Sequence, residues 1–381
     1  MKTLPRNVIL QGDARTVLSG LLAQSIDCAI TSPPYFQLRD YGVRGQLGLE
    51  ATVEAWVENL RSAFAEVARV LKPHGSVWLN LGDSYSRAQR TGAPPKSLLA
   101  APERLLLALM ADGWIVRNKV VWAKANPMPH SVADRLNATY DFVYFLTRQP
   151  SYYFDLDAVR EPHRSQRPAS RRRESSPEER RARGPLAGGD NAGLRQLARR
   201  GEVGHRLGKN PGDVWHLPAS GYRGAHFATF PPTLVERPLL ATCPERICVQ
   251  CDRAWRRPVR IRRSRAHGRG KPSDSARVRR YPTRYEVIRE VGQLKPCGCF
   301  APTRPGVVLD PFFGTGTVGE VARAHGRDWL GIELNSKYVR LAEARLGLRG
   351  RRGRLNGGRK GQSFLLAASA IHDPTKGGEK S

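Results

Sequence analysis

The chain has 381 residues, 40% of them hydrophobic, which is enough to bury a sizeable core without disulfide staples. Lys and Arg number 63 against 34 Asp and Glu, a formal charge of +29, so the expected partner is a polyanion, with nucleic acid first. No window approaches 18 uncharged apolar residues, which excludes a membrane-spanning helix, and "MKTLPRNVILQGDA" lacks a signal peptide's apolar core, so a cytoplasmic, nucleoid-associated protein is expected.

In chain order, "NVIL" reads as a short strand running into the turn "QGDA", which carries Asp13. "DCAI" is a second strand, stopped by "TSPPY": two consecutive prolines cannot donate to a sheet and end it, which stiffens the chain at Ser32, Pro33, Pro34 and Tyr35. A helix is expected from about 52 to 71, because Trp56, Leu60, Phe64, Val67 and Leu71 fall on one helical face. "SVWLNL", a helix from about 98 to 112, "IVRNKVVW" and "DFVYFL" continue the alternation. The strands are apolar on both faces, as in a mostly parallel sheet covered by helices. From about 161 to 212 the chain turns polar, basic and rich in Gly and Pro, without periodicity. Order is expected again at "DVWHLP" and "HFATFPPTLVERPLLA", then in "VVLDPFFGTGTVGE", a strand, glycine turn and helix, followed by the strand "WLGIEL". After about 347 a basic glycine-rich tail follows.

Two features carry chemistry. Glycines 314, 316 and 319 let the backbone approach a ligand closely, and Glu333, at the tip of the next strand, is placed to accept hydrogen bonds from ribose hydroxyls, so this is read as a nucleoside-cofactor site. Five of the six cysteines cluster between 243 and 299. Cys248-Val-Gln-Cys251 and Cys297-Gly-Cys299 form two close pairs of the kind that converge on a tetrahedral structural zinc, with Cys243 able to replace one ligand and incidental thiols as the alternative. Such a site would tie off the Arg-rich stretch 253–295, read either as a phosphate contact or as a solvated run.

"TSPPY" together with "DPFFGTGT" resembles the amino-group DNA methyltransferases that use S-adenosylmethionine, and "QLRDYG", "WLNLGDSY", "GDVWHLP", "HFATFPPTLVE" and "IELN" are similar to that family as well. The catalytic motif precedes the cofactor motif, which is the family's β arrangement. The resemblance implies a doubly wound, Rossmann-like α/β sheet with permuted motif order, a variable insertion and, from the cysteines, a zinc knuckle. It places Asp310, Phe312, Gly314 and Gly316 toward the methionine part of the cofactor, Glu333 on the ribose and Asp13 near the adenine, although a helix cap is the plain alternative for Asp13. Phe230 and Pro231 match the segment lining the cofactor pocket. Ser32 and the Pro33 carbonyl would accept hydrogen bonds from an exocyclic amine of a base flipped out of duplex DNA, with Pro34 stiffening the loop and Tyr35 stacking on the base.

The Ser-Pro-Pro-Tyr form implies cytosine N4 as the target. Adenine N6 stays open, as do an RNA-directed enzyme and a relative without catalysis. Methylation of ring carbon is disfavoured, because the one Pro-Cys pair, Pro296-Cys297, belongs to the cysteine cluster. The expected organisation is a catalytic half over 1–160, a basic segment 161–212 contributing to target recognition, a cofactor half over 213–242 and 301–346, a Cys- and Arg-rich insertion 243–300 and a tail 347–381. A restriction endonuclease is an expected partner.

Overall fold

The structure is a computed structural model describing residues 3–87, 93–129, 131–162, 208–219, 230–256, 259–265, 285–291, 296–348, 353–354 and 365–366. The basic segment from 163 to 207, most of the tail, and residues 257–258, 266–284 and 292–295 of the Arg-rich stretch fall outside the described residues. Contacts divide the chain into two units: residues 1–155, 212–254 and 301–381, and residues 156–211 with 255–300.

The first unit is built on an eight-stranded sheet. Its strands are β1 (Val8–Gln11), β2 (Ile26–Thr31), β3 (Leu71–Leu81), β4 (Ile115–Lys124), β5 (Tyr140–Thr147), β6 (Val214–Leu217), β11 (Val307–Asp310) and β12 (Asp328–Glu333). Across the sheet they run β1-β12-β11-β2-β3-β5-β4-β6. Every neighbouring pair is parallel except those made by β5, which runs against β3 and β4. This is the mostly parallel, doubly wound α/β sheet expected from the alternating pattern.

Helices cover both faces. On one, α1 (Ala14–Ser19), α2 (Val53–Val70) and α3 (Ala101–Ala111) contribute Leu18, Trp56, Leu60, Phe64 and Leu105 to a core shared with Val77, Leu79, Leu330 and Ile332 of the strands. On the other, α4 (Pro232–Thr242), α5 (Thr317–Ala324) and α6 (Ser336–Arg345) bury Val235, Leu239, Val318 and Ala342 against Cys28, Trp78, Val308 and Trp329. Successive strand residues alternate between the two cores, so both strand faces are apolar. α2 follows the expected helical face within one residue at each end, opened by Thr52, whose side chain accepts from Ala55 N–H.

A buried ion cluster pins the strand edges opposite the site. Asp27, fully buried, meets Lys72 Nζ at 3.1 Å and Arg304 at 3.3 Å, and also accepts from the Val307 N–H. Lys72 and Arg304 both pair with Asp252 as well. A hairpin-like pair, β7 (Ile247–Cys248) with β10 (Thr303–Arg304), carries Arg304 into the cluster.

The second unit is described more sparsely. β8 (Val259–Arg265) and β9 (Tyr285–Val291) form an antiparallel ladder, and Glu161 and Lys209 exchange backbone hydrogen bonds. Among the described residues, no helix is long and apolar enough to cross a membrane.

Candidate active site

The sheet's winding reverses between β2 and β11. From β11 the chain proceeds outward through β12, with β1 at the edge, and β2 leads the other way into β3. Ligands of open α/β sheets bind in the crevice beyond the strand ends at such a point. β2 delivers Thr31 there and β11 delivers Asp310, and the Thr31 Oγ1 donates to Asp310 Oδ1 at 2.7 Å, both residues almost fully buried. One hydrogen bond therefore joins the base of the proline loop to the base of the glycine turn.

Beyond it lies an open pocket of about 870 Å³ lined by Gly12, Asp13, Ser32, Pro34, Tyr41, Phe230, Phe312, Gly314, Thr315, Glu333, Asn335 and Tyr338, among others. The structure thus brings Asp13, Ser32, Pro34, Phe230, Phe312, Gly314 and Glu333 to one cavity. Asp310 and Gly316 do not line it. Asp310 lies beneath, accepting from Thr31 and the Phe312 N–H, and Gly316 is the residue before α5, in the left-handed region at φ 84°. Pro33 is buried behind the pocket, Tyr35 is turned into the protein, and Pro231 is buried at the start of α4.

Glu333 is bound at both oxygens by backbone: Gly314 N–H donates to Oε2 and Asn335 N–H to Oε1, each at 2.7 Å. Burial raises its carboxyl above the ordinary value, and these N–H groups oppose the shift. Burial likewise pushes Asp310 up to about 7, against the Thr31 and Phe312 hydrogen bonds, with the negative Glu333 adding to the rise. Asp13 fills both roles that its sequence allowed. It caps α1 by accepting from the Thr16 N–H and it lines the pocket. Burial works against its charge, but Arg15, at 3.1 Å, and the Thr16 N–H outweigh that and hold it below the usual carboxylate range.

A carboxylate on the strand after a glycine turn, facing a pocket shared with a Ser-Pro-Pro loop, is the arrangement implied by the motifs, and comparison with known proteins agrees. A family model described as DNA methylase, of the N6/N4 class, matches residues 26–249 and 302–344. The chain belongs to the amino-group DNA methyltransferase family. The Type II methyltransferase M.XycI of Xanthomonas campestris pv. cyanopsidis is 32% identical over 362 residues, covering 89% of this chain and 87% of that protein. M.SfiI of Streptomyces fimbriatus is 34% identical over 386 residues, with 88% and 90% covered. Among solved structures, PvuII DNA methyltransferase, titled cytosine-N4-specific, aligns with a TM-score of 0.52 at 17% identity over 92% of this chain and 89% of that one, a likeness of fold.

The methyltransferase pocket also holds residues that sequence reasoning did not assign. Tyr41 and Tyr338 meet edge to face at 6.1 Å between ring centroids, and Asn335 caps α6 through Lys337 N–H while donating to Tyr41 O. Tyr41 lies within the quoted "QLRDYG" and Asn335 within "IELN", so the signal was present without a role attached.

The cysteines separate into two kinds. Cys243 is buried in the core over Gly306, its thiol pushed well above the usual value by burial, and it stands apart from the others. Cys248 ends β7, and the Asp252 N–H donates back to its carbonyl, closing a turn around Cys251. Cys248 and Cys251 belong to the first unit, and Cys297 and Cys299 to the second.

Proposed function

We propose that this methyltransferase transfers the methyl group of S-adenosylmethionine to the N4 amino nitrogen of cytosine in duplex DNA, with the target nucleotide flipped out of the helix. The observation that carries the reading is the shared pocket, in which Ser32 and Pro34 of the proline loop line the same cavity as Gly314 and Glu333 of the glycine turn. When bound, the cofactor supplies an electrophilic methyl group on a sulfonium. Glu333 takes the ribose hydroxyls, Asp13 lies toward the adenine, and Phe230 and Phe312 give the apolar walls. Asp310 and Gly316 act from beneath, by holding the turn that presents Phe312 and Gly314. Ser32 and the Pro33 carbonyl accept the amine's N–H groups, which aims the nitrogen lone pair at the methyl carbon.

Serine rather than aspartate at position 32 supports cytosine N4 over adenine N6, which is the second reading. The family and the +29 charge together support DNA as the polyanion, and relatives named Type II methyltransferases support a companion restriction endonuclease. The same reading includes one structural zinc ion held by Cys248, Cys251, Cys297 and Cys299. Their paired spacing, Cys-x-x-Cys and Cys-x-Cys, suits tetrahedral thiolate ligation.

Transfer of labelled methyl from S-adenosylmethionine to duplex DNA tests the site. Ser32→Ala is expected to lower transfer by about 100-fold or more while leaving cofactor affinity unchanged, since the serine's proposed partner is the base. Wild-type turnover in that variant would remove the assignment of the loop.

A further inference from the structure

The sequence presents α2 as a packing helix, and of the residues it buries, Trp56 alone carries a polar side-chain atom. The Trp56 side chain is fully buried, and its Nε1–H donates to the Pro34 carbonyl at 3.0 Å, inside the Ser-Pro-Pro-Tyr loop. Pro34 itself lines the pocket.

What this bond does follows from the freedom the loop has left. A peptide unit is planar, so each residue turns only about φ and ψ. The rings of Pro33 and Pro34 fix φ at both positions, and a following proline confines ψ of Ser32 and of Pro33 to the extended region. Pro34 is followed by Tyr35, so its ψ is the loose torsion of the turn. That torsion decides where the Pro34 carbonyl points, and this is the carbonyl that the indole holds. Beyond it the chain is anchored by the Tyr35 phenol, which donates to Asp141 Oδ2 at 3.2 Å and accepts from Asn80 Nδ2 at 3.1 Å. With that end fixed, a turn about ψ of Pro34 would displace Pro34 and Ser32, both of which line the pocket. Gly48 closes the outer side: a Cβ there would lie 2.9 Å from Tyr35 O and 3.1 Å from Pro34 Cβ. The Gly48 N–H donates to Glu50 Oε2 at 2.8 Å, and Asn59 Nδ2 of α2 donates to the other oxygen of Glu50 at 3.0 Å. α2 therefore grips the loop twice, directly through Trp56 and indirectly through Asn59 and Glu50.

We infer that Trp56 is a positioning residue which, through the Pro34 carbonyl, fixes the last loose torsion of the proline loop and with it the direction of the Ser32 and Pro33 acceptors. This deepens the reading of the pocket given above and rests on it. A shifted loop would strand a fully buried indole N–H without an acceptor, which opposes any other setting of the turn.

Replacing the Trp56 indole by benzothiophene, which keeps the fused rings and has sulfur where the N–H was, puts the inference to the test. The single-turnover methyl-transfer rate should fall by about tenfold or more, with S-adenosylmethionine affinity within about twofold of wild type and the melting temperature little changed, because only the aim of the loop is lost. Trp56→Phe should show the same loss of rate with a lower melting temperature. Leu60→Ala, one turn further along the same buried face, is the packing control: it should lower the melting temperature while keeping the rate, measured well below the transition, within about twofold of wild type. A wild-type rate in the benzothiophene variant, or a Leu60→Ala variant as slow as Trp56→Phe, overturns the inference. If the benzothiophene variant does not fold, Trp56→Phe against Leu60→Ala decides alone. Ser32→Ala, run in parallel, separates the two failures: an active Ser32→Ala defeats the loop assignment itself, whereas an inactive one beside a wild-type benzothiophene variant defeats the role of Trp56 alone.

Discussion

Asp310 shows how far a residue's role can depart from what its motif suggests. Its place at the end of a strand before a glycine turn was plain in the sequence, but the structure buries the carboxylate under the pocket and joins it to Thr31 of the neighbouring strand. Sequence spacing cannot report that pairing, because β2 and β11 lie at opposite ends of the chain. Unfolded, the group ionises near 3.8; folded, it keeps its proton up to about 7. The folded state therefore binds the extra proton between those values, and stability falls as pH rises through that window and levels off above it. Asp310→Asn is expected to flatten this dependence and, at pH 8 without cofactor, to be more stable than the parent by a few kcal/mol. Denaturant titrations at pH 5 and pH 8 check it; a wild-type curve that rises across the window would contradict the burial argument. Ser32 was legible because two prolines mark the strand end beside it. Tyr338 was not, because "SKYVRL" reads as an ordinary helix and its ring finds its place in the pocket only against Tyr41.

At the level of elements, α2 was legible to within a residue because its apolar face and its Thr52 cap are both local. α3 was expected from about 98 and begins at Ala101, since its cap is not local: Asp83, in the loop after β3, accepts from Ala100 and Ala101 N–H at 2.8 and 3.1 Å. β3 was expected from Ser76 and begins at Leu71, its polar "KPHG" tolerated because Lys72 is neutralised by Asp27. β12 and the glycine turn fit each other through one missing side chain. A Cβ on Gly331 would lie 2.4 Å from the Phe313 ring, which stacks on Trp329 at 5.2 Å and whose N–H is bonded to Ile332 O. Gly331→Ala should destabilise the fold by about 2 kcal/mol and weaken cofactor binding, because the displaced Phe313 carries Gly314 with it. Thermal melts and calorimetry with S-adenosylmethionine check both effects, and a variant with unchanged affinity would show the turn to be independent of this packing.

For the molecule as a whole, the α/β class and permuted order followed from alternation and motif sequence, both of which survive along the chain whatever the insertion does. Contact of the basic segments with DNA phosphates belongs to this scale, because it rests on the +29 charge of the whole chain. Zinc belongs to this scale too, since its proposed ligands come from both sides of the Arg-rich stretch. Purified protein is expected to carry about one zinc per chain by elemental analysis, and Cys248→Ser/Cys251→Ser to lower melting temperature and DNA affinity while sparing cofactor binding. Purified protein without metal, or a double variant as stable as the parent, would return these cysteines to plain thiols. The central claim, an amino-group methyl transfer to cytosine, is tested most directly by nucleoside mass spectrometry of duplex DNA incubated with the purified chain and S-adenosylmethionine. N4-methylcytosine is expected, strongly reduced with Ser32→Ala; N6-methyladenine in its place, or no methylated nucleoside at all, would contradict transfer to cytosine.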